Sequence, residues 1–405
     1  MKISFSPPHI SEEAIQEVID TLHSGWITTG PKTKLFEKNL TEYCGNKATL
    51  CVNSATFGLE HILRWFGVGK GDEVIIPAYT YCATANVVVH TGATPVMVDI
   101  NGSDFNINVD AVEKAITPKT KVIIPVDIAG LPADYDAIKK IIIENKQQFL
   151  PTTENQKKLG RILVLSDSAH SFGAIYQEKR TGILADISVF SFHAVKNLTT
   201  AEGGAIALNL PEPFDNKSIY QELNILSLHG QSKDALAKTG TANWQYDVID
   251  AGYKGNMTDI QASLGLIALK YYNSKTLPKR KAICMQYSEA FSKYDFFTLP
   301  PLIEKNRETS YHAYLLRIKN ISETQRNQIM QEIFKRNIAV NVHFQPLPIF
   351  TAYKNRGYSI TDFPVAFDNY SREISLPVYE DLTGEQTDFV INTVINATKK
   401  ILNSK

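Results

Sequence analysis

The chain has no surplus of charge of either sign: 42 basic and 42 acidic residues cancel over 405 positions. That balance excludes a global field of the kind that draws in nucleic acid or an anionic membrane, so an anionic ligand must be held locally. Cysteine is sparse as well. Cys44, Cys51, Cys82 and Cys284 form no C-x-x-C pair and share no ligand spacing with the nine histidines, which argues against a structural zinc or a disulfide framework. Cys51 and Cys82 lie in apolar segments and read as small core residues. No apolar run reaches membrane-spanning length, and the opening M-K-I-S-F-S-P-P-H-I lacks the apolar stretch of a signal peptide. A cytoplasmic protein without metal, nucleic-acid or membrane partner is expected. No repeat or low-complexity tract is present, and 43% hydrophobic content over this length predicts a large core in two domains.

What is present alternates. Ser11 opens a helix whose Ala14, Ile15, Val18, Ile19 and Leu22 share a face, with Gly25 placed to end it. Thr28-Thr29-Gly30-Pro31 reads as loop. A helix is expected from Ser54, a strand at 73–76, a helix at 84–90, a strand at 95–100, a helix at 109–116 and strands at 121–128, 162–166, 187–192 and 204–209. Such alternation predicts an α/β fold, a sheet covered by helices on both faces. After the apolar helix 260–272, the polar S-K-T-L-P-K-R segment marks a boundary, giving domains at 1–275 and 276–405.

Three places carry chemistry. Phe190 to Gly204 runs an apolar strand into Lys196 and then a threonine and glycine turn, F-S-F-H-A-V-K-N-L-T-T-A-E-G-G. A lysine there is desolvated, and a desolvated ammonium gives up its proton and becomes nucleophilic toward an aldehyde; by itself it is as readily a surface lysine past a strand end. Upstream, I-L-V-L-S-D-S-A-H brings Asp167 out at the carboxyl end of a short buried strand, where open α/β sheets carry ligand groups. A carboxylate and a lysine so disposed suit the two ends of pyridoxal phosphate, the pyridine nitrogen and the aldehyde carbon. Third, Asn53-Ser54-Ala55-Thr56 precedes a helical apolar pattern, so small polar residues sit at a helix start, an anion site. Alone, Ser54 would be a simple cap.

These segments, with P-A-Y-T-Y-C-A-T-A-N at 77–86, G-A-T-P-V-M-V-D-I at 92–100, S-F-H-A-V-K-N at 191–197 and G-Y-K-G-N-M-T-D at 252–259, resemble the DegT/DnrJ/EryC1/StrS sugar aminotransferases over nearly the whole chain. The resemblance implies a fold type I aminotransferase: a large domain with a mostly parallel mixed sheet between helices, led by an N-terminal arm, and a smaller C-terminal α+β domain. It implies pyridoxal 5'-phosphate as cofactor, with Lys196 forming the internal aldimine, Asp167 on the pyridine nitrogen and His170 beside the ring hydroxyl. It further implies Tyr81 stacked on the ring, an assignment that slips to Tyr79 if that segment is a strand, and Ala55, Thr56 and Ser191 on the phosphate. Asn256 matches an asparagine that reaches the neighbouring subunit's phosphate, which implies a homodimer with shared sites; as sequence alone it reads equally as a turn residue. S-G-W-I-T-T-G-P-K at 24–32 resembles enzymes that aminate carbon 4 of a nucleotide-linked ketosugar, of the UDP-4-amino-4-deoxy-arabinose synthase type, with an amino acid, glutamate, as donor. Trp26, Thr28, Thr29 and His193 are the implied substrate contacts. A 3-aminotransferase, a cyclitol aminotransferase and a non-catalytic cofactor-binding regulator are the alternatives. Asp136 to Lys158 holds an apolar helix start, Ile138, Ile141 and Ile142, followed by a polar run; beside the family this region is longer by roughly a dozen residues, about a surface-loop insertion, and reads as peripheral.

Overall fold

Short β-branched runs alternate with amphipathic segments, and the structure, a computed structural model describing residues 1–233 and 245–403, turns that pattern into a layered α/β architecture. From the N-terminus the order is α1 (Glu12–His23), α2 (Pro31–Cys44), β1 (Ala48–Val52), α3 (Ala55–Trp65), β2 (Glu73–Pro77), α4 (Cys82–Thr91), β3 (Thr94–Val98), α5 (Val109–Ala115), β4 (Thr120–Ile123), α6 (Tyr135–Glu144), α7 (Glu154–Leu159) and β5 (Leu163–Asp167). A small hairpin of β6 (Ile175–Tyr176) and β7 (Lys179–Arg180) follows, then β8 (Ile187–Ser191), β9 (Gly204–Leu208), α8 (Asn216–Ser227), α9 (Asp259–Tyr271) and α10 (Leu277–Phe291).

Seven strands form the main sheet in the order β1-β9-β8-β5-β4-β2-β3. Neighbours from β3 to β8 pair in parallel, while β9 is antiparallel to both β8 and β1. Two reversals restore the direction, so β1 runs the same way as β8. The carboxyl ends of β1, β2, β5 and β8 therefore open on one edge, and that edge carries the site. Because the sheet is covered on both faces, alternate residues serve different cores: Val74, Ile76, Leu163 and Leu165 pack with Leu59, Ile62 and Val88, whereas Ile75, Ile123 and Val164 pack with Val112, Ile138 and Ile142.

A further core gathers Ile283 and Tyr287 of α10 with a three-stranded antiparallel sheet, Phe297–Thr298, Tyr314–Ile318 and Glu373–Leu376, and the helices Glu323–Phe334 and Gly384–Leu402. Ile3 joins this core through a bridge to Ile338. The N-terminal arm thereby crosses to the C-terminal layer and brings Phe5 and Ser6 over that edge of the main sheet.

Three expectations change. Pro31 is the first residue of a helix, not loop, and α2 itself was not anticipated; proline suits that position because its missing N–H would be unpaired there. Ser11 does cap α1, accepting from the Ala14 N–H at 3.2 Å, but of the apolar stripe only Ala14 is buried, while Ile15, Ile19 and Leu22 are exposed. The insertion is no peripheral loop. It folds into α7, and Thr153, Asn155 and the fully buried Gln156 donate to the carbonyls of Trp65 and Phe66 at the end of α3. No helix among the described residues is long and apolar enough to cross a membrane.

Candidate active site

Four strand ends and one helix start converge on a cavity of about 460 Å³ lined by Lys196, Asp167, His170, Ser191, His193, Tyr81, Ala55 and Thr56. Asp167 is the last residue of β5 and Ser191 the last of β8. Lys196 follows in the turn after β8, its N–H donating to the His193 carbonyl at 2.9 Å. β1 leads into Ser54, whose Oγ accepts the Phe57 N–H at 3.1 Å and caps α3. The Ala55 and Thr56 amides behind it, at the first turn, have no intrahelical acceptor by their position. Gly204 lets β9 pass beneath this helix start: a Cβ there would lie 2.6 Å from the Ala55 nitrogen and 2.8 Å from the Phe190 carbonyl oxygen.

Asp167 is 6% exposed and accepts from the Thr84 hydroxyl at 2.8 Å and the Ala169 N–H at 3.3 Å. Burial raises its pKa, with Thr84, Ala169 and Lys196 acting against the rise. Burial conversely pushes Lys196 down to about 8, Asp167 opposing. His170 is held well below the usual histidine range by burial, then by Lys196 and His343. A carboxylate held in its less comfortable form and an amine ready to lose its proton share one cavity, the combination that marks a functional site.

Residues 8–395 match the DegT/DnrJ/EryC1/StrS aminotransferase family. The chain belongs to that family. A putative sugar aminotransferase, Spr1654 of Streptococcus pneumoniae, solved in its PLP form, is 46% identical, with 99% of this chain and 100% of that one aligned at a TM-score of 0.95. The spore coat polysaccharide biosynthesis protein SpsC of Bacillus subtilis is 36% identical over 401 residues, 98% of this chain and 97% of its own. PseC of Helicobacter pylori, an aminotransferase involved in the biosynthesis of pseudoaminic acid, is 30% identical with a TM-score of 0.86, covering 99% of this chain and 100% of that one. This sugar aminotransferase therefore uses pyridoxal phosphate.

The residues present fit that cofactor. His170 Nδ1 is buried with no hydrogen-bond partner, an orphan that a ring oxygen would satisfy. The α3 amides offer a seat for a phosphate, and Asp167 has acceptor capacity left for a cationic ring nitrogen. Tyr81, 60% exposed, lines the cavity beside Phe344, their ring centroids 6.0 Å apart. Tyr79, two residues earlier, does not line the cavity: it is fully buried and donates to the His343 carbonyl at 2.7 Å.

Asn256, Trp26, Thr28 and Thr29 do not line this cavity among the described residues. They form a separate cluster: Asn256 Nδ2 donates to Thr29 Oγ1 at 2.6 Å, Thr29 Oγ1 donates to the Met257 carbonyl at 2.5 Å, and Trp26 Nε1 donates to the Thr29 carbonyl at 3.2 Å. The Thr28 carbonyl accepts the Asp259 N–H at 3.1 Å. His193 does border the cavity and pairs loosely with Glu202 at 3.5 Å.

Thr84, beneath the cavity, and the lining residues His312 and Phe344 escaped the sequence reading. Thr84, linked to Thr80 at 2.9 Å, holds Asp167. His312 stacks 4.2 Å from His170, and its Nδ1 lies 2.9 Å from Asn197 Oδ1, the residue after Lys196. His343 and Phe344 close the C-terminal side. Thr84 had a usable signal, the T-Y-C-A-T spacing into a helix; His312 and Phe344 lie too far from the motifs in sequence to announce themselves.

Proposed function

We propose that the enzyme transfers an amino group from glutamate to the C4 ketone of a nucleotide-linked 4-keto sugar, most simply a UDP-sugar, in cytoplasmic amino-sugar or surface-polysaccharide synthesis. The carrying observation is the buried Asp167 and the softened Lys196 facing one cavity at the sheet's catalytic edge. Support for the sugar class comes from the kinship with SpsC and PseC, and support for carbon 4 from the S-G-W-I-T-T-G-P-K segment.

When bound, pyridoxal phosphate supplies an electron sink that stores the amino group between the two substrates. Lys196 Nζ then takes and returns a proton, a task that suits an amine shifted toward neutrality. The Asp167 carboxylate pairs with the cationic ring nitrogen, and Thr84 keeps that carboxylate aimed. His170 donates to the ring oxygen, Tyr81 covers the ring face, and Ala55, Thr56 and Ser191 hold the phosphate. His193 borders the sugar.

Two chains complete each site in this reading, with residues 1–275 as the large domain and 276–405 as the small one. Asn256, turned away from its own cavity, serves the partner's phosphate, and Trp26, Thr28 and Thr29 meet the partner's sugar. The uncovered Ile15, Ile19 and Leu22 agree with such an assembly. Supplying glutamate with 4-keto and 3-keto hexoses carried on UDP and dTDP, and locating the new amine by NMR, tests the reading. Product aminated only at carbon 3 overturns it, and mixtures of Lys196→Ala with Asn256→Ala chains that stay inactive overturn the shared site.

A further inference from the structure

Glu373 opens the strand Glu373–Leu376, is fully buried, and has no part in the chemistry above. Its Oε2 accepts the His343 backbone N–H at 3.1 Å, and its Oε1 lies 2.5 Å from Ser375 Oγ. Ser375 Oγ also meets His343 Nδ1 at 2.9 Å and the His343 N–H at 3.2 Å. His343 lines the cavity with Lys196. A three-member chain thus runs from a buried carboxyl to an imidazole at the substrate's side.

A serine hydroxyl has one hydrogen to give. With Glu373 ionised, both carboxylate oxygens only accept, so Ser375 donates to Oε1, His343 donates from Nδ1, and Nε2 is a bare acceptor. With Glu373 protonated, the proton belongs on Oε1, because Oε2 faces an N–H. Ser375 then accepts from Oε1 and donates to Nδ1, and Nε2 carries the hydrogen. Every polar atom from Glu373 to His343 Nδ1 is satisfied in both arrangements, and the imidazole is neutral in each.

We propose that Glu373, acting through Ser375, sets whether His343 offers a hydrogen or a lone pair to the substrate, and that the hydrogen-bearing form receives the carbonyl oxygen of the ketosugar. This deepens the ketosugar reading and rests on it. A ketone oxygen only accepts, so it needs the Nε2–H form. His343 is the substrate contact; Ser375 and Glu373 are positioning residues.

The surroundings keep the chain responsive. Burial raises Glu373 to about 8, against the Ser375 hydroxyl, Arg326, the His343 N–H and Arg317. Neither guanidinium neutralises it outright: Arg326 Nη1 donates to the carbonyls of Tyr370 and Glu373, and Arg317 to the carbonyls of Gly102 and Ser103 and to Asn369. Tyr79 is the remaining titratable neighbour, its own pKa raised by burial and then by Glu373. On the cavity side the charged and titratable groups near His343 are Lys196, His170 and His312, and burial followed by Lys196 pushes it down to about 4. It therefore changes tautomer, not charge, near neutrality.

Holoprotein labelled with ¹⁵N at histidine, followed by long-range proton–nitrogen correlation from about pH 6 to about pH 10, reads the tautomer directly. The His343 signals are those lost in His343→Gln. Nε2–H is expected at low pH and Nδ1–H at high pH, crossing near the Glu373 value. Glu373→Gln turns its carbonyl to the His343 N–H and its NH₂ to Ser375, so it should hold Nε2–H throughout; Ser375→Ala, a smaller change, should uncouple the pair. In the sugar half-reaction the wild type should lose about tenfold in kcat/KM on the alkaline side, and Glu373→Gln should not. A single tautomer across the range in the wild type, or a switch that persists in both variants, overturns the proposal. A switch with no ketosugar turned over overturns the substrate reading alone.

Discussion

Asp167 and Asp259 are both buried aspartates at the ends of regular elements, yet they are solvated in opposite ways. Asp259, at the first turn of α9, accepts the N–H groups of Gly30, Lys32 and Thr33 and the Thr33 hydroxyl, all within 3.1 Å. Asp167 accepts one hydroxyl at 2.8 Å and one N–H at 3.3 Å. The first carboxylate is saturated and ties the start of α2 to α9. The second is left short of donors, which costs folding energy and keeps an anionic position open for a cation. Between these two aspartates, it is the shortage of partners that distinguishes the one facing the cavity.

Exchanging the two roles by mutation is the sharpest way to break that comparison. Asp167→Asn should lower turnover by about 10² or more while leaving thermal stability nearly unchanged. Asp259→Asn should do the reverse, costing about 2–4 kcal/mol of stability, with a much smaller fall in rate per folded molecule. Calorimetry beside steady-state kinetics measures both, and equal stability losses would erase the distinction.

The same cavity makes a pH prediction. Lys196 is shifted down to about 8, so below that value its amine is mostly protonated and unreactive toward an aldehyde. Loading of apoprotein with pyridoxal phosphate, trapped by borohydride on the peptide bearing Lys196, should speed up about tenfold per pH unit and level off above about 8. A rate still rising steeply at pH 10 would mean an ordinary lysine.

The smallest effect sharpens the comparison by one bond. Thr84→Val keeps shape and removes the better of Asp167's two donors, and a hydrogen bond to a charged group contributes about 1.5–3 kcal/mol. Turnover should fall roughly tenfold, with a measurable loss of cofactor affinity in titration. No change in either would make Thr84 a bystander.

The sheet and the centre of the site were legible because both follow from local pattern. Strands buried on two faces read as apolar runs, and Lys196 and Asp167 interrupt such runs where neither residue belongs unless it is used. α2 was missed because Pro31 looks like loop punctuation and its buried residues Phe36, Leu40 and Cys44 are spread among lysines. α7 was misjudged for a different reason: Thr153, Asn155 and Gln156 are polar yet work inside the structure, and a polar residue that terminates another helix resembles a solvated one in one dimension. His312 and Glu373 lay beyond sequence because each acts through a partner that the fold, not the chain, brings near. The Asn256 cluster marks the opposite limit, since motif order singles it out while a single chain keeps it away from Lys196.

The insertion's contact with α3 bears on how that helix breathes. Helices ordinarily fray from their ends, and one end of α3 borders the cavity. α3 is clamped at its start by Ser54 and by the tight passage of β9 at Gly204, and at its finish by donors from α7. With both ends tied, the helix has no free terminus from which to unwind, so its hydrogen-bonded amides beyond the first turn should exchange with solvent only when a larger part of the sheet opens with them. The helix start that borders the cavity thereby takes on the lifetime of the core and not that of a loop.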